Sequence, residues 1–173
     1  RRIRLESGGP FCGAFFSSGA EPSAHVRALV CAALSVVRSG GKVIISAVEG
    51  GKLARETKAT FAGAGHTLHT ISAESPIPAE FPPALLMTFR TRREENILTA
   101  LAFAQFDYFV APTHERVNWA MGLGLPMFAL TPTIGPYAPL NLELVERSDV
   151  AIRLGGKLEP IQFTSALEYF HAS

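Results

Sequence analysis

The chain has 173 residues, of which 47% are apolar and 18% charged, with 16 Lys and Arg against 15 Asp and Glu. That length and balance describe one folded domain with its own core and exclude a disordered chain, while a net charge of +1 leaves no basic footprint for nucleic acid. No apolar run approaches the ~20 residues of a membrane span, and the two cysteines, Cys12 and Cys31, are too few for a zinc site or a disulfide framework.

Short apolar runs alternate with helical patterns along the chain. The first strand is expected over 11–16, ending in Ser17-Ser18-Gly19. A helix over 22–38 follows, with Val26, Leu29, Val30, Ala33, Leu34 and Val37 at helical spacing and Gly40-Gly41 as its stop. The second strand, 42–48, is a continuous apolar run of the kind buried on both faces of a parallel sheet. A helix over 52–62 and a weak third strand over 67–71 come next. The proline-rich stretch 76–83 reads as a surface loop and 85–89 as a short extended piece. A helix over 92–105 carries Ile97, Leu98, Leu101 and Ala104 on one face. The fourth strand, 108–111, leads to a helix over 115–123, and the fifth, 126–130, to a proline-rich loop over 131–139 and a helix over 140–147. The sixth strand is 150–154, and a last helix is expected over 160–170.

Six strands alternating with helices predict an α/β fold: a doubly wound, mostly parallel, Rossmann-like sheet. With strand order 3-2-1-4-5-6, the crevice at the topological switch point lies beside strands one and four, at their carboxyl ends. It would be lined by Ser17-Ser18-Gly19 and Pro112-Thr113-His114. Both cysteines are expected as small buried fillers in a reducing, cytoplasmic compartment. Arg1 rather than Met opens the chain, and the expectation is a fragment or one half of a two-domain protein.

Three loops could carry chemistry. Ser17, Ser18 and Gly19 precede a helix whose free N–H groups and partial positive charge suit a phosphate; the alternative is an ordinary strand-to-helix turn. The fingerprints GxGxxG and the Walker loop are absent. In the run Thr113, His114, Glu115, Arg116, the histidine could bond a phosphate or sugar hydroxyl and the arginine could neutralise a phosphate. Thr113 and Glu115 equally suit the cap and first turn of the next helix. The stiff loop with Thr133, Ile134 and Gly135 could hold backbone amides against a ligand, and Asn141 reads as a helix-start residue or a contact. Glu21 and Glu49, just past strands one and two, suit a helix start or the crevice. His25, His66, His69 and His171 are scattered without metal-ligand spacing, so no metal is expected.

The second half, from Phe106-Asp107 through Thr113-His114, Gly124-Leu125-Pro126 and Pro132 to Asn141, resembles the carboxyl-terminal, donor-binding domain of GT-B glycosyltransferases, of the peptidoglycan N-acetylglucosaminyltransferase type. The Ser17-Ser18-Gly19 loop occupies the place of that family's glycine/serine-rich first loop, and the resemblance covers nearly the whole chain. It implies a nucleotide sugar, for instance a UDP-sugar, as substrate, with no further cofactor. It also implies an amino-terminal acceptor domain or a partner subunit, through which alone a membrane would be met. Two places depart from the family: Trp119 stands where a ribose-binding Glu is usual, and Tyr137-Ala138-Pro139 replaces a Gln-rich stretch that meets the donor sugar. The alternatives are a sugar-nucleotide epimerase of the same fold and a non-catalytic nucleotide-binding or interaction module. One form of the latter is a lone donor domain docked on a membrane-bound subunit, as in the dolichol-pathway N-acetylglucosaminyltransferase.

Overall fold

The computed structural model describes residues 10–154 except 77 and 79; the helix expected over 160–170 and His171 lie outside the described residues. The elements in chain order are β1 (Cys12–Phe16), α1 (Ser23–Arg38), β2 (Lys42–Val48), α2 (Lys52–Gly63), β3 (His69–Ser72), β4 (Ala84–Phe89) and α3 (Arg92–Ala102). A 3-10 turn (Phe103–Gln105) follows, then β5 (Tyr108–Ala111), α4 (Val117–Leu123), β6 (Met127–Leu130), α5 (Ala138–Arg147) and β7 (Ala151–Leu154).

All strands run parallel in a single sheet of order β3-β4-β2-β1-β5-β6-β7. The doubly wound α/β class is as expected, and the described residues form seven strands instead of six. The additional strand is β4, read from sequence as a short extended piece. It lies between β2 and β3, pairing Val43 with Ala84 and Val48 with Phe89 on one side and His69 with Leu85 on the other. Its sequence ALLMTF is short on β-branched residues, so propensity understates it; two strand neighbours and full burial override that weakness.

Helices α1 and α2 cover one face, where Val26, Leu29, Leu53 and Phe61 pack with Phe15 and Ile45. Helices α3, α4 and α5 cover the other, where Leu98, Val117 and Leu142 pack with Phe16 and Ile44. Among the described residues of the β3–β4 connection there is no helix; Phe81 packs against the second face there, and Lys42 Nζ donates to the Phe81 carbonyl at 3.2 Å. Beneath the central strands Gly13 is fixed by its neighbour, because a Cβ there would lie 2.3 Å from the Tyr108 ring.

Three sequence expectations are corrected. Ile97 and Leu101 are exposed, and α3 turns Glu95, Leu98, Thr99 and Ala102 inward. The helical period alone could not anticipate that a carboxylate occupies the interior. Cys31 is exposed, on the outer side of α1, and only Cys12 is buried. Finally, α4 begins at Val117 rather than 115, and α5 at Ala138 rather than 140.

Candidate functional site

The chain reverses its lateral progress between β1 and β5, so the switch-point crevice opens at the carboxyl ends of those two strands. Its near wall is the loop from Ser17 to Pro22. Ser18 O accepts Glu21 N–H at 3.0 Å, closing a turn, and Glu21 takes a left-handed φ of 42°. The Glu21 carboxylate then reaches over Gly51 to the start of α2, accepting N–H from Lys52 and, at 3.2 Å, from Leu53. A side chain at Gly51 would stand 2.9 Å from both Glu21 carboxylate oxygens. Glu21 thus serves a helix start, as one reading expected, but that of the next helix. The amino end of α2 is thereby filled. At α3, the cap residue Thr91 accepts Glu94 N–H through Oγ1 at 3.2 Å, and Glu94 accepts the N–H of Arg90, just outside the helix, at 2.8 Å. The 16-residue helix α1 has no side-chain cap, since Pro22 holds the cap position. Just ahead of it, Ser17 Oγ and Ser18 Oγ are buried without a hydrogen-bond partner, while Gly19 is exposed. Lys52 Nζ donates to Ser23 Oγ in the first turn of α1, and no described carboxylate pairs with it.

The far wall is the turn from β5 into α4. Thr113 is 1% exposed and donates through Oγ1 to the Ala138 carbonyl at 2.8 Å; its own carbonyl accepts from Asn141 Nδ2 at 2.9 Å. Thr113 and Asn141 therefore lash α5 to this turn, and neither caps its own helix. Glu115 is exposed and bonded to Arg92 at 2.6 Å; burial works against its ionised form, but Arg92 and Arg116 win and hold its pKa below the usual value. Arg116 points inward. It is 8% exposed, hydrogen-bonded to Glu95, with its guanidinium carbon 4.4 Å from the Phe16 ring centre and 5.5 Å from that of Trp119. Burial pulls its pKa down, against the opposing pull of Glu95 and Glu115. The structure thus engages Arg116 with a carboxylate and two rings inside the fold, where it is not a free cation for a phosphate. Trp119 packs edge-on to Phe16, Phe103 and Phe109 with ring centres 5.3–5.4 Å apart.

The third wall is the loop after β6. Thr133 is half-buried, and Ile134 and Gly135 are exposed. Gly135, at φ 93°, faces the His114 ring, whose Cε1 would lie 3.7 Å from a Cβ there. The residue missed from sequence is His25, on the first turn of α1. It is fully buried, and its Nε2 lies 2.8 Å from the Pro132 carbonyl, an acceptor that makes Nε2 the protonated nitrogen. Nδ1 is left as a buried acceptor without a partner. Burial lowers the His25 pKa, the Pro132 contact opposes this, and nearby His114 adds to it. One isolated histidine carries no spacing signal, so only the fold brings His25, His114 and the 131–137 loop together. Among the described residues no group of three or more His, Cys, Asp or Glu side chains is placed to hold a metal ion.

A second concavity, of about 210 Å³, lies at the carboxyl ends of β1, β2 and β4. It shares Ser17, Ser18 and Gly19 with the crevice and is otherwise walled by β2, β4 and the start of α3.

A doubly wound parallel sheet, with uncapped α1 and three loops converging at its switch point, defines an α/β domain of the Rossmann-like class. Among solved structures, the chain is similar to one described as the glycotransferase of kitacinnamycin. The TM-score is 0.53 at 14% identity, over 100% of this chain and 39% of that one. The likeness is one of fold, and the chain spans well under half the length of that protein. No protein-family model matches the chain, and no curated protein matches it in sequence. No helix among the described residues is long and apolar enough to cross a membrane.

Proposed function

We propose that the chain is the nucleotide-sugar-binding domain of a GT-B-like glycosyltransferase, its donor diphosphate held at the switch-point crevice. The observation that carries this reading is the pair of buried, unpartnered hydroxyls, Ser17 Oγ and Ser18 Oγ, directly before the uncapped end of α1. Buried hydroxyls without partners are costly unless something bonds them, and an open helix amino end favours an anion. The fold likeness to a glycosyltransferase supports the same reading. In it, the two serines, Gly19 N–H and the first turn of α1 hold the diphosphate, and Lys52 supplies the cation that Arg116 does not. His114 donates to a phosphate or sugar oxygen from across the crevice, with the loop of Thr133, Ile134 and Gly135 beside it. Donors fixed in advance against a departing diphosphate stabilise the charge that develops on it. The acceptor would be brought by a further domain or a partner subunit.

A second reading, a non-catalytic binding module, is favoured by the internal engagement of Arg116 and Trp119, which leaves the crevice without a ribose-binding carboxylate at that place. Calorimetric titration with UDP and other nucleoside diphosphates separates the two. Heat and a raised Tm with at least one nucleotide, with or without magnesium, support the donor site; neither effect with any of them supports the module. His114→Ala should weaken nucleotide binding by about 1–3 kcal/mol, the loss of one hydrogen bond to a charged group, with little change in unfolding midpoint. Unchanged binding with lowered stability would move the contact to the loop after β6.

A further inference from the structure

We infer that the outer face of α5 docks antiparallel on α5 of a second copy of this chain, forming a weak two-fold dimer. Among the described residues, the exposed large apolar side chains on helices are Ile97, Leu101, Met121, Leu123, Leu140 and Leu144. All of them sit on α3, α4 and α5; α1 and α2, on the other side of the sheet, expose none. Helix α5 buries Ala138, Leu142 and Val145 and turns Leu140 and Leu144 outward.

The shape of that face points to its occupant. Leu140, Glu143, Leu144 and Arg147 stand at i, i+3, i+4 and i+7, and with Ser148 they border an open concavity. Four side chains in this arrangement form the hole that a knob from a facing helix enters. The same helix supplies the knob, Leu144. Two copies of α5 related by a two-fold axis therefore fill each other's hole, as an isologous interface requires. The charges agree with the shape. Glu143 and Arg147 flank the leucines with opposite signs, and the antiparallel two-fold sets Glu143 of each copy beside Arg147 of the other. Within one copy the pair is 3.5 Å apart with both side chains exposed, a contact of little worth in water and free to be exchanged. A parallel pairing would set Glu143 against Glu143 and Arg147 against Arg147, so the charge pattern selects the antiparallel one. With one charge of each sign, the face carries no net charge to attract an anionic surface; it is its own complement. A helix of 10 residues is about 15 Å long. A pair of them, even widened by Met121 and Leu123 of neighbouring α4, buries less than the ~1,200 Å² from which stable interfaces begin. The dimer is accordingly weak and reversible.

The inference goes beyond the nucleotide reading and does not rest on it, since self-association and nucleotide binding are read by separate measurements. Sedimentation equilibrium of the full chain, from about 10 µM to 1 mM, should show the average mass rising from one chain toward two and no further. Leu144→Glu should hold the mass at one chain over the same range, with Tm little changed because the side chain is exposed. Glu143→Arg alone, and Arg147→Glu alone, should each weaken the dimer by about fivefold to tenfold, through like charges facing each other at two symmetric places. The double reversal, Glu143→Arg with Arg147→Glu, should restore it to within about twofold. A single-chain mass at every concentration, or growth past two chains, would overturn the inference. So would association that survives Leu144→Glu, or single reversals that the double reversal does not repair.

Discussion

Arg116 and Glu95 are 8% and 6% exposed and hydrogen-bonded to each other inside the fold. Removing one partner of such a pair costs about 3–5 kcal/mol. Arg116→Ala should fall at the lower end, about 3 kcal/mol, because Arg92 still reaches Glu95 at 2.7 Å; denaturant unfolding checks this. In sequence, Arg116 followed a strand in a polar run, and residue type alone gave no way to tell an arginine facing a ligand from one turned onto Phe16 and Trp119. His25 makes a second case. Its folded pKa is below the ordinary 6.5 through burial, opposed by the Pro132 contact and reinforced by His114. As pH falls the unfolded chain takes up that proton first, so the contribution is full above about 6.5 and declines below it. Tm should therefore drop between about pH 7 and pH 5, and His25→Gln, which can still donate to the Pro132 carbonyl, should flatten that part of the profile.

At the level of elements, the β1–α1 loop and α2 are braced by one carboxylate. Gly51 at the α2 cap position has no side chain to offer, and Glu21 supplies the acceptor from a distance of 31 residues in sequence. Glu21→Ala should cost about 0.5–2 kcal/mol, the usual loss of a helix cap, read from urea midpoints, and should leave the sheet intact by circular dichroism. The helices and most strands were legible from periodicity, since Val26, Leu29 and Leu34, or the run Val43-Ile44-Ile45, carry the pattern in themselves. The candidate crevice was legible only as three loops. Which hydroxyls lack partners, which helix start is already filled, and that Asn141 reaches back to Thr113 are products of long-range packing.

For the whole molecule the consequential strand is β4. It lies one position in from the sheet edge, with β3 outside it and β2 inside, and Ala84, Leu85 and Leu86 are fully buried. Its amides should exchange with solvent only through global opening, while those of β3, at the edge and half-exposed, exchange through local fraying. Hydrogen-exchange rates over 84–89 comparable to those of 69–72 would contradict this placement. Reading 85–89 as a loose extended piece made β2 the neighbour of β3; inserting β4 leaves the switch point untouched but adds one strand's width beside β2. The second concavity exists because of that insertion, and sequence reasoning that lacked the strand could not have found it.

The two thiols differ in a way that experiment can use. Cys12 is sealed in β1, whereas Cys31 stands exposed on α1, the same rigid helix whose first turn borders the crevice. The chain contains no other cysteine, so a maleimide dye should attach once, at Cys31, without any engineered site. A fluorophore there would ride on α1 and report by anisotropy whether another domain or subunit binds this chain.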